Sequence, residues 1–265
     1  MLRIEVTMNR MKKLIKSSML KGTVFLCIIL IITGLVKPSH ASAQVSILSH
    51  IGYWDALGIL HIDGEVKNTG DVPVNLVKLT ATFYDSNHVF IAQRSGGTFL
   101  KVILAGRKSP FSIWLEEGAS SVRNYTLDVT FNAYPQGRPL GLEIPSSSWH
   151  VNTFLYIDGQ VKNIRTTTAT DVMVAATFYD SYGWVTGVSS SSSVPSNINP
   201  NQVASFNLTF MQLDLFSYIT RYSLTAESNE YEIIPEFPIN MIAPLLITLT
   251  LFVVLMKKRK DIHKH

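Results

Sequence analysis

The side chains able to do chemistry are scattered, and their spacing argues against catalysis. Four histidines, His50, His61, His88 and His150, stand between residues 44 and 256, and no two of them are at a metal-ligand spacing. Catalysis needs a nucleophile beside a base, paired carboxylates in a cleft, or a metal cluster. Glu116 and Glu117 are adjacent, so on a strand they point to opposite faces. No G-x-S-x-G, Walker or H-E-x-x-H pattern occurs. The sequence therefore predicts a non-enzymatic chain with no catalytic residue, metal or cofactor. Asp63 and Asp158 form a matched pair, as do Asp85 and Asp180. Carboxylates clustered with loop carbonyls can hold calcium. Asp85 and Asp180 also suit the first position of a hairpin turn, and the turn is the favoured reading.

Aromatic side chains are the better candidates for binding. Trp114 has the opposite parity to Phe111, Ile113 and Leu115, so it is expected to face outward. Tyr84 and Tyr179 likewise oppose the core face, and Trp184 follows a turn. Exposed aromatics stack on sugars or anchor protein partners. Trp54 and Trp149 match each other and are expected in cores. Asn124-Tyr125-Thr126 and Asn207-Leu208-Thr209 are glycosylation sequons, and both asparagines have outward parity.

The elements that carry these residues come in duplicate. Ile62-Asp63-Gly64-Glu65-Val66-Lys67-Asn68 returns as Ile157-Asp158-Gly159-Gln160-Val161-Lys162-Asn163, and Thr82-Phe83-Tyr84-Asp85-Ser86 returns as Thr177-Phe178-Tyr179-Asp180-Ser181. Both offsets are 95 (157 − 62 and 177 − 82), and Trp54/Trp149 and Phe111/Phe206 keep the same offset. An unchanged offset means two copies of one module. Each copy alternates apolar and polar residues with period two: Val77, Leu79, Ala81 and Phe83 in the first, Val172, Val174, Ala176 and Phe178 in the second. Asn68-Thr69-Gly70-Asp71 and Asp180-Ser181-Tyr182-Gly183 are turn sequences. The predicted fold class is all-β: two tandem immunoglobulin-like β-sandwiches. Gly64 and Gly159, inside strands, predict a bulge or a closely packed aromatic. Prolines and glycines between Tyr134 and Ser148 place the module boundary there, giving modules 44–145 and 146–233. Ser189 to Ser193 reads as a flexible loop.

The two ends predict where the chain sits. Lys12, Lys13, Lys16 and Lys21 precede an apolar run from Gly22 to Val36, and Ala41-Ser42-Ala43 is a small-residue cleavage site. Residues 1–43 read as a signal helix cleaved between Ala43 and Gln44, the alternative being an uncleaved anchor. Residues 234–238 form a short proline-bearing stalk. Ile239 to Met256 is an apolar stretch without charge, followed by Lys257-Lys258-Arg259-Lys260. This predicts a transmembrane helix over 239–256 that meets membrane lipid, with a cytoplasmic tail at 257–265. The ends also account for the overall charge of +4. Residues 1–43 contribute 7 − 1 = +6 and residues 257–265 contribute 5 − 1 = +4, leaving 11 − 17 = −6 for the rest. An acidic ectodomain has no field for phosphates, which argues against nucleic acid. The only cysteine is Cys27, in the apolar run, so the mature chain has no disulfide or thiol chemistry.

The pattern G-x-V-x-N followed by T-F-Y-D, carried by Gly64, Val66, Asn68 and Thr82–Asp85 and again by Gly159, Val161, Asn163 and Thr177–Asp180, resembles the FxLYD-type immunoglobulin-like domains of prokaryotic exported proteins. In the second copy Asn199-Pro200 precede Phe206, where the first has Ala105-Gly106. Pro235-Glu236-Phe237-Pro238 before the apolar span resembles the PEF-type sorting signals of archaeal surface proteins. The resemblance implies an archaeal envelope protein whose span is retained or is removed by a membrane transpeptidase. The expected function is a structural or adhesive surface protein, partnered by an envelope protein or glycan. The alternative is a glycan- or solute-binding accessory subunit of a membrane complex.

Overall fold

Period-two alternation becomes strands throughout the computed structural model, which describes residues 42–234. The expected signal up to residue 41, the stalk from residue 235, the span and the basic tail lie outside the described residues. Among the described residues no helix is long and apolar enough to cross a membrane.

The first repeat holds β1 (Val45–Trp54), β2 (Leu60–Asn68), β3 (Val74–Tyr84), β4 (Phe90–Gly97), β5 (Val102–Ile103), β6 (Lys108–Leu115) and β7 (Asn124–Ala133). β1, β2 and β6 form one sheet, and β3 pairs with β4, β5 and β7 in the other. Leu60, Ile62, Phe111 and Ile113 from the first meet Leu79, Ala81 and Phe83 from the second. The second repeat holds β8 (Leu140–Val151), β9 (Leu155–Asn163), β10 (Met173–Tyr179), β11 (Val185–Ser192), β12 (Val203–Phe210), β13 (Arg221–Glu227) and β14 (Glu232–Ile233). Here β14 bridges β13 and β8, so the two halves belong to one seven-stranded sheet. Leu155, Ile157, Phe206 and Leu208 on one half pack with Val174, Ala176 and Phe178 on the other. The chain is all-β and sandwich-like.

The register repeats at the offset of 95. Ile62 lies opposite Ile113, and Ile157 lies opposite Leu208. The hairpin bulge falls between Phe83 and Tyr84 in β3 and between Phe178 and Tyr179 in β10. Gly64 and Gly159 are tied to a neighbouring ring: a Cβ there would stand 2.4 Å from Phe111 Cζ and 2.3 Å from Phe206 Cζ. The two motif asparagines are buried clips. Asn68 Nδ2 donates to Val72 O (2.8 Å) and Ile103 O (2.9 Å), and Asn163 Nδ2 donates to Thr167 O (2.7 Å) and Ile198 O (2.9 Å). Each side chain donates to two backbone carbonyls beside its turn, pairing groups that burial takes from water.

Three expectations are corrected. Trp54 and Trp149 are 45% and 41% exposed rather than core residues. They lie opposite Leu60 and Ile157, which are core residues. However, β1 is an edge strand, and β8 meets β14 only at Leu140 and Leu142, so one flank of each indole stays open. Ser189 to Ser192 are not a flexible loop but the second half of β11, paired with β10 from Ala176 to Met173. Ladder hydrogen bonds there override the weak strand preference of serine. The division at 145/146 falls inside β8, which pairs with β9 from Leu142.

Candidate functional site

The structure brings the two repeats together along a polar seam. β2 is buried on both faces because β11 of the second repeat lies against its outer side. Asp63 is 2% exposed and accepts from Ser112 Oγ (2.6 Å), Tyr53 Oη (2.8 Å) and the Val188 backbone N–H of β11 (3.2 Å). Burial pushes the Asp63 carboxyl above its ordinary range, and the three donors oppose that rise. Burial, with the Asp63 charge, also raises the Tyr53 phenol. Glu65 accepts from Tyr179 Oη at 2.6 Å and pairs with Lys108 Nζ at 2.7 Å. Tyr179 is therefore a correction. It points away from its own core, as parity requires, but it is 4% exposed because the first repeat covers it. Arg221 stacks on its ring, 4.7 Å from the centroid. Tyr84, the matching residue, stays partly exposed.

A second seam closes the other end of the contact. Glu227 accepts from the Lys101 backbone N–H (2.9 Å) and Arg138 Nη1 (3.0 Å). Glu232, opposite it in β14, is 1% exposed, and neither carboxyl oxygen has a hydrogen-bond partner among the described residues. Burial, then the Glu227 charge, pushes Glu232 up to about 8, against the pull of Arg107 and Arg138. Burial raises Glu227 as well.

Where the repeats meet there is also a cleft of about 360 Å³. Trp184, Leu215 and Tyr218 of the second repeat and Ile51 of the first supply apolar walls, and His50, Asp180 and Thr186 supply polar groups. Trp184 and Tyr218 are 60% and 61% exposed. Trp184 is held by the hairpin turn, where Asp180 Oδ1 accepts from the backbone N–H groups of Tyr182 (2.9 Å) and Trp184 (2.8 Å). Asp85 does the same for Asn87 and Val89, both at 2.8 Å. These carboxylates serve turns, and among the described residues no group of three or more His, Cys, Asp or Glu could hold a metal.

The other expected residues are dispersed. Trp114 is 59% exposed on β6 and lies opposite His61, away from the cleft. Asn124 and Asn207 are exposed, and Asn207 Nδ2 donates to Asp158 Oδ1 at 2.7 Å. Ala43 packs at the edge of the first core, and Gln44 O accepts from Thr69 N (2.8 Å) and Gly70 N (3.2 Å). Glu116 and Glu117 are exposed. Matching the copies could not find the cleft, because it is built from departures between them. Trp184 and Thr186 stand where the first copy has Val89 and Ile91.

No family model matches the chain, and no curated protein matches it. Among solved structures it is similar to red sea bream transglutaminase, at 13% identity and a TM-score of 0.23, over 76% of this chain and 32% of that one. It is also similar to the exo-chitosanase CsxA of Amycolatopsis orientalis, at 11% identity and a TM-score of 0.26, over 71% of this chain and 26% of that one. The chain thus spans about a third and a quarter of those two proteins. Likeness at this level says nothing of activity.

Proposed function

We propose that this chain is a non-enzymatic envelope protein of archaeal type, exported by a cleaved signal and anchored by one C-terminal span. Its two tandem immunoglobulin-like modules, of FxLYD type, stand outside the membrane and serve a structural or adhesive role. The observation that carries the adhesive reading is the pair of exposed tryptophans, Trp114 and Trp184, on an acidic, cysteine-free pair of sandwiches. Large rigid aromatics left in water are the usual anchors of protein and sugar contacts. Protease added to intact cells tests the topology. Digestion of residues 44–233 with survival of a small basic C-terminal fragment supports it, and protection of the modules contradicts it. A second reading, a glycan- or solute-binding accessory subunit, is favoured by the cleft between the repeats.

A further inference from the structure

We infer that the cleft walled by Trp184 and Tyr218 binds one uncharged, hydroxyl-rich ring, a pyranose unit, with a single such site per chain. The inference rests on the ligand-binding reading above. A volume near 360 Å³ is in the range of small-molecule sites, which pair apolar walls with a few placed polar groups. The walls suit the C–H faces of a sugar ring. The polar groups speak against a purely apolar ligand. Thr186 is 5% exposed, lines the cleft, and its hydroxyl has no hydrogen-bond partner among the described residues. A buried hydroxyl left unpaired is costly, and because this oxygen is closed to solvent a ligand pairs with it only as the cleft wall shifts. Thr186 is the extra residue of the β11 bulge, between Val185 opposite Tyr179 and Gly187 opposite Phe178. Bulges re-aim side chains in this way.

His50 Nδ1 is bonded to Tyr125 Oη at 2.8 Å, which leaves Nε2 for a ligand hydroxyl. Asp180 Oδ1 is used by its turn, which leaves Oδ2. Among the described residues no lysine or arginine lines the cleft, which leaves a phosphate or carboxylate ligand without a cation there. His50 and Ile51 come from the first repeat and the other walls from the second, so the site exists only in the docked pair. The first repeat cannot form a second copy, since Val89 and Ile91 replace the indole and the hydroxyl.

The test uses the full-length chain and four probes: the methyl glycosides of glucose, galactose, mannose and N-acetylglucosamine. Tryptophan fluorescence and saturation-transfer NMR read the binding. We expect saturable binding of at least one probe at one site per chain. Trp184→Ala and Tyr218→Ala should each weaken it tenfold or more, and Thr186→Val severalfold, while Trp149→Ala, outside the cleft, leaves it unchanged. No saturable binding by any probe, two equivalent sites, or binding indifferent to Trp184→Ala would each overturn the inference. Attachment of the same variants to envelope fragments separates the two claims. If no glycoside binds but Trp184→Ala still detaches the protein, the cleft inference fails and the adhesive reading stands. If a glycoside binds but attachment ignores Trp184, the reverse holds.

Discussion

β2 and β9 carry nearly the same seven residues, yet they live in different surroundings. Both place Ile62/Ile157 and Val66/Val161 in a core and Asn68/Asn163 in a buried clip. They differ on the other face. Asp63 and Glu65 are shut away by the second repeat, whereas Asp158 and Gln160 are exposed. The local code for the fold is thus shared, and the docking is asymmetric. It is written in a few substitutions: Glu65 for Gln160, Lys108 for Val203, and Tyr53 for Ser148. A duplicated repeat docks on its neighbour when one copy's outer face acquires charges shared between its own Ser112, Tyr53 and Lys108 and the neighbour's tyrosine and backbone.

The largest effects should be the same in both copies. Phe83→Ala and Phe178→Ala each empty a fully buried site and should cost about 3–5 kcal/mol in denaturant melts. A large inequality between them would mean that the cores are not equivalent. Next come changes that separate the copies. Glu65→Ala leaves the Tyr179 hydroxyl buried without its partner and should cost about 1–3 kcal/mol. Gln160→Ala, exposed, should stay within about 0.5 kcal/mol.

The second seam sets a pH dependence. Glu232 titrates near 8 when folded against an ordinary 4.5. Its neutral form is favoured by folding, so its contribution is fully present below about 4.5. That contribution is lost as pH rises through about 8. Glu227 and Asp63, both raised, act in the same direction. The melting temperature should therefore fall from pH 5 to pH 8.5, and Glu232→Gln should flatten the slope. An unchanged slope would place the titration elsewhere. The smallest expected effect is at Trp114. Trp114→Ala should melt within about 0.5 kcal/mol of the parent, as befits an exposed ring. If it melts as badly as Phe83→Ala, the ring is structural and loses its claim to an anchor's role.

Much of this fold was legible in the sequence, because periodicity and a constant offset report what a strand does within its own sandwich. The strands, the offset of the repeat, a bulge or a close aromatic at Gly64 and the turns begun by Asp85 and Asp180 all follow from local rules. Parity says which way Tyr179 points, but it is silent on whether another body lies there, so the buried tyrosine was missed. The same blindness hid Asp63 and Glu65, each of which meets a residue more than 100 positions away in the chain. Ser189 to Ser192 failed for a related reason, since pairing with β10 outweighs composition. The available signal was in the mismatches between copies, not in the matches.

The most direct measurement is a pair of double-mutant cycles. One takes Glu65→Gln with Tyr179→Phe, and the other takes the matching positions, Gln160→Ala with Tyr84→Phe. Residues in contact couple by about 0.5–3 kcal/mol, whereas distant ones are additive. Coupling in that range is expected for Glu65 and Tyr179, which share a 2.6 Å hydrogen bond, and none for Gln160 and Tyr84. Additive behaviour in both cycles would contradict the docked pair.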